Sequence, residues 1–291
     1  MTNSQLHVVR SGSLTTVQDL GRPGFAHLAV PRSGAVDRSS LTLANRLVGN
    51  SEQAAALETT VDGVAVRFDQ SRYIAVTGAE APVLIDGRPA SWGVPQRVRA
   101  GQLVDVGRAR RGVRSYLAVA GGIDTMPVMG SRATDLLSGL GPPIVSEGTT
   151  LRIGQPTGPS AALDFAPYRL PEPELLLDCY LGPRDDWITR EAIEIFARSQ
   201  WQVTTESNRI ALRLKGVPLA RRITDELLSE GVALGSVQVP ANGQPVVFLS
   251  DHPTTGGYPV IGVVPAPDIW RCGQAMPGTS IRFRIKRLEA L

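Results

Sequence analysis

Residues that break regular structure set the terms for what this chain can become. Thirty glycines and 22 prolines are spread through 291 residues, a density that favours many short strands joined by turns over long helices. β-Branched or alternating runs bounded by Gly, Asp or Pro predict strands at 5–9, 64–68, 73–77, 82–85, 103–106 and 115–120. One helix interrupts them: Asp37 is a good N-cap, Leu41, Ala44, Leu47 and Val48 recur at helical spacing, and Gly49-Asn50 is the stop. Five prolines between 154 and 174 mark a linker, after which strands are expected at 175–179, 201–205, 210–214, 246–249 and 281–285, with a helix near 188–198. The reading is a mainly β protein of two closed or nearly closed β-barrels, each with one or two short helices. The domains are 1–158, a Pro-rich linker at 159–173, and 174–291.

Composition excludes several functions. Net charge is +3, but the basic residues are scattered and the densest cluster, Arg108-Ala109-Arg110-Arg111, lacks interleaved aromatics, so no nucleic-acid partner is expected. Two cysteines (Cys179, Cys272) cannot frame a disulfide scaffold, and three histidines (His7, His27, His252) are not at metal-ligand spacing. No leader and no bilayer-spanning run is apparent, so the expected location is cytoplasmic, with no membrane partner. There is no P-loop, no GxGxxG fingerprint between strand and helix, no GxSxG elbow, and no lysine between methionines that would carry biotin. A self-contained hydrolase is therefore not indicated.

Four polar, glycine-punctuated segments stand out. The first, Thr16-Val17-Gln18-Asp19-Leu20-Gly21-Arg22-Pro23-Gly24, and the second, Val30-Pro31-Arg32-Ser33-Gly34-Ala35-Val36-Asp37, read either as tight turns with a capped helix or as a pocket frame. In the second reading the backbone N–H groups at 33–37 would hold a carboxylate or carbonyl oxygen. The third contains Ser229-Glu230-Gly231-Val232 and Gly235-Ser236-Val237-Gln238. The fourth, 250–259, delivers Asp251, His252, Thr254, Thr255, Gly256, Gly257 and Tyr258 from one strand end. Such a loop places Asp251 as an acid/base or orienting carboxylate and opens glycine amides to an oxyanion; a Gly-Gly turn with an Asx-type bond is the plain structural alternative. His252 reads as a structural donor. In Gly182-Pro183-Arg184-Asp185-Asp186-Trp187 the two carboxylates serve a helix entrance. Glu58 is either a buried partner for an arginine or an edge charge.

At these segments the chain resembles the family called allophanate hydrolase subunit 2, antagonist of the Kip kinase inhibitor, or the C-type subunit of 5-oxoprolinase, a module also found in the carboxyltransferase region of urea amidolyase. Ala44-Asn45-Arg46-Leu47-Val48-Gly49-Asn50, Ala56-Leu57-Glu58, residues 116–124, Gly130-Ser131-Arg132 and Ser207-Asn208-Arg209 carry the resemblance too, from Thr16 almost to the C-terminus. Pro253 stands where many relatives have glutamine, and Ala133 where serine or threonine is common.

The resemblance implies cyclophilin-like barrels and a subunit-1 partner, the B-type 5-oxoprolinase subunit of the Kip-inhibitor class. With an A-type 5-oxoprolinase subunit of the LamB/YcsF kind, the complex would convert 5-oxoproline to glutamate using ATP. The alternatives are a biotin-dependent carboxyltransferase subunit, with biotin on a separate carrier, and a regulatory protein that sequesters a kinase inhibitor. Allophanate hydrolysis itself needs a Gly/Ser-rich segment with a catalytic lysine, and Lys215 and Lys286 lie in none. On this reading Asp251, Glu230 and Arg22 are the catalytic candidates. Gln18, Asp19, Ser33, Gly34, Asp37, Asn45, Glu58, Arg209, Gln238, Thr255, Gly256, Gly257 and Tyr258 are the candidates for binding substrate.

Overall fold

The computed structural model describes residues 4–161, 166 and 169–286. The chain divides into two compact units. The first comprises residues up to Arg22, Ser33–Asp135 and Gly139–Pro171, and the second comprises Pro23–Arg32, Leu136–Ser138 and residues from Glu172 onward. The linker expected at 159–173 falls partly outside the described residues.

In the first unit the strands are β1 (Ser4–Arg10), β2 (Leu14–Gln18), β3 (Ala56–Thr60), β4 (Val64–Phe68), β5 (Arg72–Glu80), β6 (Val83–Ile85), β7 (Arg88–Ala90), β8 (Gln96–Val98), β9 (Leu103–Val106), β10 (Arg111–Val119) and β11 (Thr150–Ile153). They form a six-stranded sheet, β11-β1-β4-β9-β6-β7, and a five-stranded sheet, β2-β3-β10-β5-β8. Strand periodicity decides which residues meet. Leu57, Val76, Leu117 and Val119 join Leu6, Val66, Phe68 and Val104 in one buried apolar cluster. Their sequence neighbours Ala56, Ala75, Tyr116 and Ala118 point to the other face. There they pack with Leu41, Ala44 and Leu47 of helix α1 (Arg38–Leu47) and with Val48 at its C-cap. Asp37 caps α1 as its sequence predicts, with Oδ1 accepting from the Ser40 amide at 3.0 Å. Gly49 follows the helix in the left-handed region at φ 75°.

In the second unit the strands are β12 (Glu174–Leu181), β13 (Trp201–Val203), β14 (Ala211–Lys215), β15 (Glu230–Gly231), β16 (Ser236–Gln238), β17 (Val246–Phe248), β18 (Thr255–Gly256), β19 (Val260–Val263) and β20 (Ser280–Lys286). Seven close a barrel, β12-β19-β16-β17-β14-β13-β20, and β15 and β18 make a separate two-stranded ribbon. Helix α2 (Arg190–Arg198) packs on β20, where Phe196 stacks on Phe283 with ring centroids 4.4 Å apart. A short helix α3 (Ile269–Gln274), not expected from sequence, precedes β20.

The helix expected from 188 begins at Arg190, because Thr189 is extended and its hydroxyl caps the Ala192 amide at 3.1 Å. Asp185 and Asp186 sit in a separate 3-10 turn, Asp185–Trp187, so they are not in the first turn of α2; Glu191 is. Among the described residues no helix is long and apolar enough to cross a membrane.

Candidate functional site

The sequence-predicted site residues fall into one cluster in each unit. In the first, Glu58 on β3 stands in register opposite Tyr116 on β10. Both occupy the helix-facing side of the sheet, directly beneath the start of α1. The Tyr116 hydroxyl donates to Glu58 Oε2 at 2.7 Å and accepts from the Asp37 amide at 2.8 Å, while the Val36 amide donates to Glu58 Oε2 at 3.1 Å. Arg114 Nε lies 3.6 Å from Glu58 Oε1, and both side chains are at most 5% exposed. Glu58 is therefore the buried partner of an arginine, not an edge charge. Burial above all, then the charges of Glu58 and Asp37, pushes the Tyr116 hydroxyl well above its ordinary pKa, so it stays protonated as the donor.

This wiring bears on the proposed anion cradle at 33–37. The Ala35 amide donates to the Asp19 carbonyl at 2.9 Å, and those of Val36 and Asp37 are used as just described. These three donors hold the helix start together instead of facing a ligand. Ser33 and Gly34 take φ of 54° and 89°, and the Ser33 hydroxyl donates to the Thr134 carbonyl at 3.1 Å. Gln18 spans Thr16 Oγ1 and the Thr134 carbonyl at 3.0 and 2.9 Å. Asp19 accepts from Ser131 Oγ, at 2.6 Å, and from the amides of Arg132 and Gly21. Arg22, 1% exposed, donates from Nη2 to the Ala133 carbonyl and from Nε to the Val128 carbonyl at 3.4 Å. Asn45 donates to the Ala54 carbonyl at 2.8 Å and accepts from Asn50, which also bonds the Val119 carbonyl. All these side chains except that of Asn50 are buried.

The second cluster surrounds the loop after β17. Asp251 is fully buried and gripped by Arg209, Nε to Oδ2 at 2.9 Å and Nη2 to Oδ1 at 2.8 Å. Its Oδ2 also accepts from the Leu136 amide at 3.2 Å. The geometry is that of an orienting carboxylate, which neither a local Asx-type turn nor a solvent-facing base would give. His252 turns back on its own loop, with Nδ1 donating to the Pro253 carbonyl at 2.7 Å.

Beyond this anchor the chain reaches solvent: Thr255 and Tyr258 are exposed, and Gly256 and Gly257 partly so. Neither glycine takes a positive φ. Gly256 is needed for closeness instead, since a Cβ there would come within 2.9 Å of Gln238 Nε2 and 3.3 Å of Val232 Cγ2. Gln238 Nε2 braces the loop by donating to the Tyr258 carbonyl at 2.9 Å, and the Arg221 guanidinium lies 5.8 Å from the Tyr258 ring centroid. Glu230 is paired with Arg184, whose Nε is 3.0 Å from both carboxylate oxygens; that hydrogen bond holds the Glu230 carboxyl below its ordinary range.

Sequence reasoning missed Tyr116, Arg114, Arg184 and Arg221. The alternation within 115–120 was the signal for Tyr116, because it sets that residue on the face opposite Leu117. Arg184 stood in a segment noticed only for its carboxylates.

The family model for the carboxyltransferase domain, subdomain A and B, matches residues 28–285. The chain belongs to that family. As a carboxyltransferase-domain protein it is 40% identical to the C subunit of 5-oxoprolinase from Escherichia coli K12 over 281 residues, 96% of this chain and 90% of the relative. It is 31% identical to the C subunit of 5-oxoprolinase from Haemophilus influenzae over 283 residues, 95% of this chain and 90% of the relative. Its fold matches the crystal structure of the Kluyveromyces lactis urea amidolyase with a TM-score of 0.89 at 29% identity, covering 97% of this chain. The carboxyltransferase-domain chain spans 19% of that much longer protein.

Proposed function

We propose that this chain is the C-type subunit of an ATP-dependent 5-oxoprolinase, a complex that hydrolyses the cyclic amide of 5-oxoproline to give glutamate. The observation that carries the reading is the 40% identity to a 5-oxoprolinase C subunit that extends over nearly all of both chains. Its partners on this reading are a B-type subunit of the Kip-inhibitor class and an A-type subunit of the LamB/YcsF kind. Use of ATP puts the complex in the cytoplasm. The two functional domains are taken as 1–158 and 174–291, joined through 159–173.

ATP supplies the activation of the lactam oxygen that makes the ring carbon susceptible to water. The start of α1 does not fit its phosphates, because the amides of Ala35, Val36 and Asp37 there are engaged within the protein. No step through ATP is therefore assigned to them. What this chain contributes, on our reading, is the exposed loop at 254–258. Thr255 meets a substrate oxygen, the amide of Gly257, next to the paired Gly256, faces developing negative charge, and Tyr258 forms one wall. Asp251 acts through Arg209 to hold the base of that loop. Gln18, Asp19, Arg22, Ser33, Gly34, Asp37, Asn45 and Glu58 hold the loops of the first unit in place and do not touch the reacting atoms.

A biotin-dependent carboxyltransferase subunit is the second reading, favoured by the family description and the urea amidolyase fold. Reconstitution separates the two. Mixed with B-type and A-type subunits, the chain is expected to co-elute with them and to support glutamate release that requires both 5-oxoproline and ATP. A stable complex without that activity, which instead moves carboxylate from a carboxybiotin carrier, would establish the second reading.

A further inference from the structure

The segment between β14 and β16 is tied down at both ends and exposed between them. Its first part leans on the turn before α2: the Thr189 amide donates to the Ala220 carbonyl at 3.1 Å, and the Arg222 amide to the Trp187 carbonyl at 2.8 Å. Residues 224–229 then run mostly exposed, with Leu228 86% accessible. The return is β15, where Glu230 and Gly231 pair with Gly256 and Thr255 of the site loop, followed by the Val232 amide donating to the Thr254 carbonyl at 2.9 Å.

A ribbon of two residues per strand cannot hold itself together in water. Arg184 supplies a tie to the barrel. Its own amide donates to the Val260 carbonyl, at 2.9 Å, where the chain leaves the site loop and enters β19, and its guanidinium forks onto Glu230. Both carboxylate oxygens are occupied by that fork, which leaves Glu230 badly placed to give or take a proton.

We infer that Arg184 and Glu230 form a latch that positions the 254–258 loop for substrate, which makes Glu230 a positioning residue and not the acid or base of the reaction. The latch rests on the proposed function for its kinetic consequence but not for its structural one. A loosened ribbon presents Thr255 and the Gly257 amide in more than one geometry, which weakens substrate binding while leaving the chemistry of the bound state largely intact.

The test uses the reconstituted complex with Arg184→Gln, Glu230→Gln, the double variant and the charge-swapped pair Arg184→Glu with Glu230→Arg. Because the ion pair is partly exposed, the expected effect is moderate. Each single variant should raise KM for 5-oxoproline about two- to fivefold with kcat nearly unchanged, the double should be no worse than either single, and the swap should recover part of the loss. Hydrogen exchange at the Val232 amide, read without substrate, should quicken in both single variants. Collapse of kcat in Glu230→Gln alone, or unchanged exchange in both variants, overturns the latch. If the wild-type complex releases no glutamate, the functional reading fails, and the exchange measurement still decides the latch.

Discussion

Arg209 holds Asp251 by two parallel hydrogen bonds, at 2.9 and 2.8 Å, with neither side chain more than 1% exposed. A buried fork of this kind loses far more when one partner is removed than the pair contributes over an apolar substitute. Asp251→Asn strands a buried guanidinium and is expected to cost about 3–5 kcal/mol. That corresponds to a fall in Tm on the order of 10 °C. Turnover should fall with the folded fraction. Thermal unfolding of the variant alongside turnover per folded molecule is the check. An unchanged Tm with turnover lost about a hundredfold would return Asp251 to proton transfer.

Tyr116→Phe removes one oxygen that serves both Glu58 and the Asp37 amide. Leaving two buried groups short of a partner should cost about 1–3 kcal/mol. The tyrosine also sets a pH dependence. Its folded pKa is raised, so the folded state keeps its proton where the unfolded chain, near the ordinary value of 10.0, gives it up. Its contribution is complete below pH 10 and declines as pH rises beyond it. Urea midpoints at pH 8 to 11 should therefore show an alkaline decline that is shallower in Tyr116→Phe. Parallel declines in the two proteins would contradict this assignment.

Gly34 combines a φ of 89° with backbone packed against it, since a Cβ would lie 2.6 Å from the Gly21 nitrogen. Gly34→Ala has no flexible side chain to displace. It should destabilise by clearly more than the roughly 1 kcal/mol of an ordinary left-handed strain. Circular dichroism melts suffice, and a variant as stable as the parent would mean the two loops can separate freely.

Cys179 and Cys272 are both buried, and burial pushes each thiol up to about 12. Neither is expected to react with a thiol reagent at pH 8 in the folded protein, while both should react in denaturant. Stoichiometric labelling of native protein within minutes would show that the barrel opens there.

The sequence by itself determined the local architecture. Val64–Phe68 and Leu103–Val106 are strands at the predicted residues, and Asp37 caps the helix whose apolar face was read from Leu41, Ala44, Leu47 and Val48. These features follow from neighbours within a few residues, where alternation, capping and glycine stops act. The very short strands β15 and β18 carried no period to detect, and α3 is barely more than one turn. The polar, glycine-punctuated segments can be picked out along the sequence. Which of their polar groups meet solvent was decided by tertiary structure alone. Asp251 finds Arg209 from 42 residues away, and Tyr116 finds Glu58 from 58. An aspartate aimed at water and one locked in a buried ion pair look alike along the chain, because pairing across the barrel or the sheet fixes which it is.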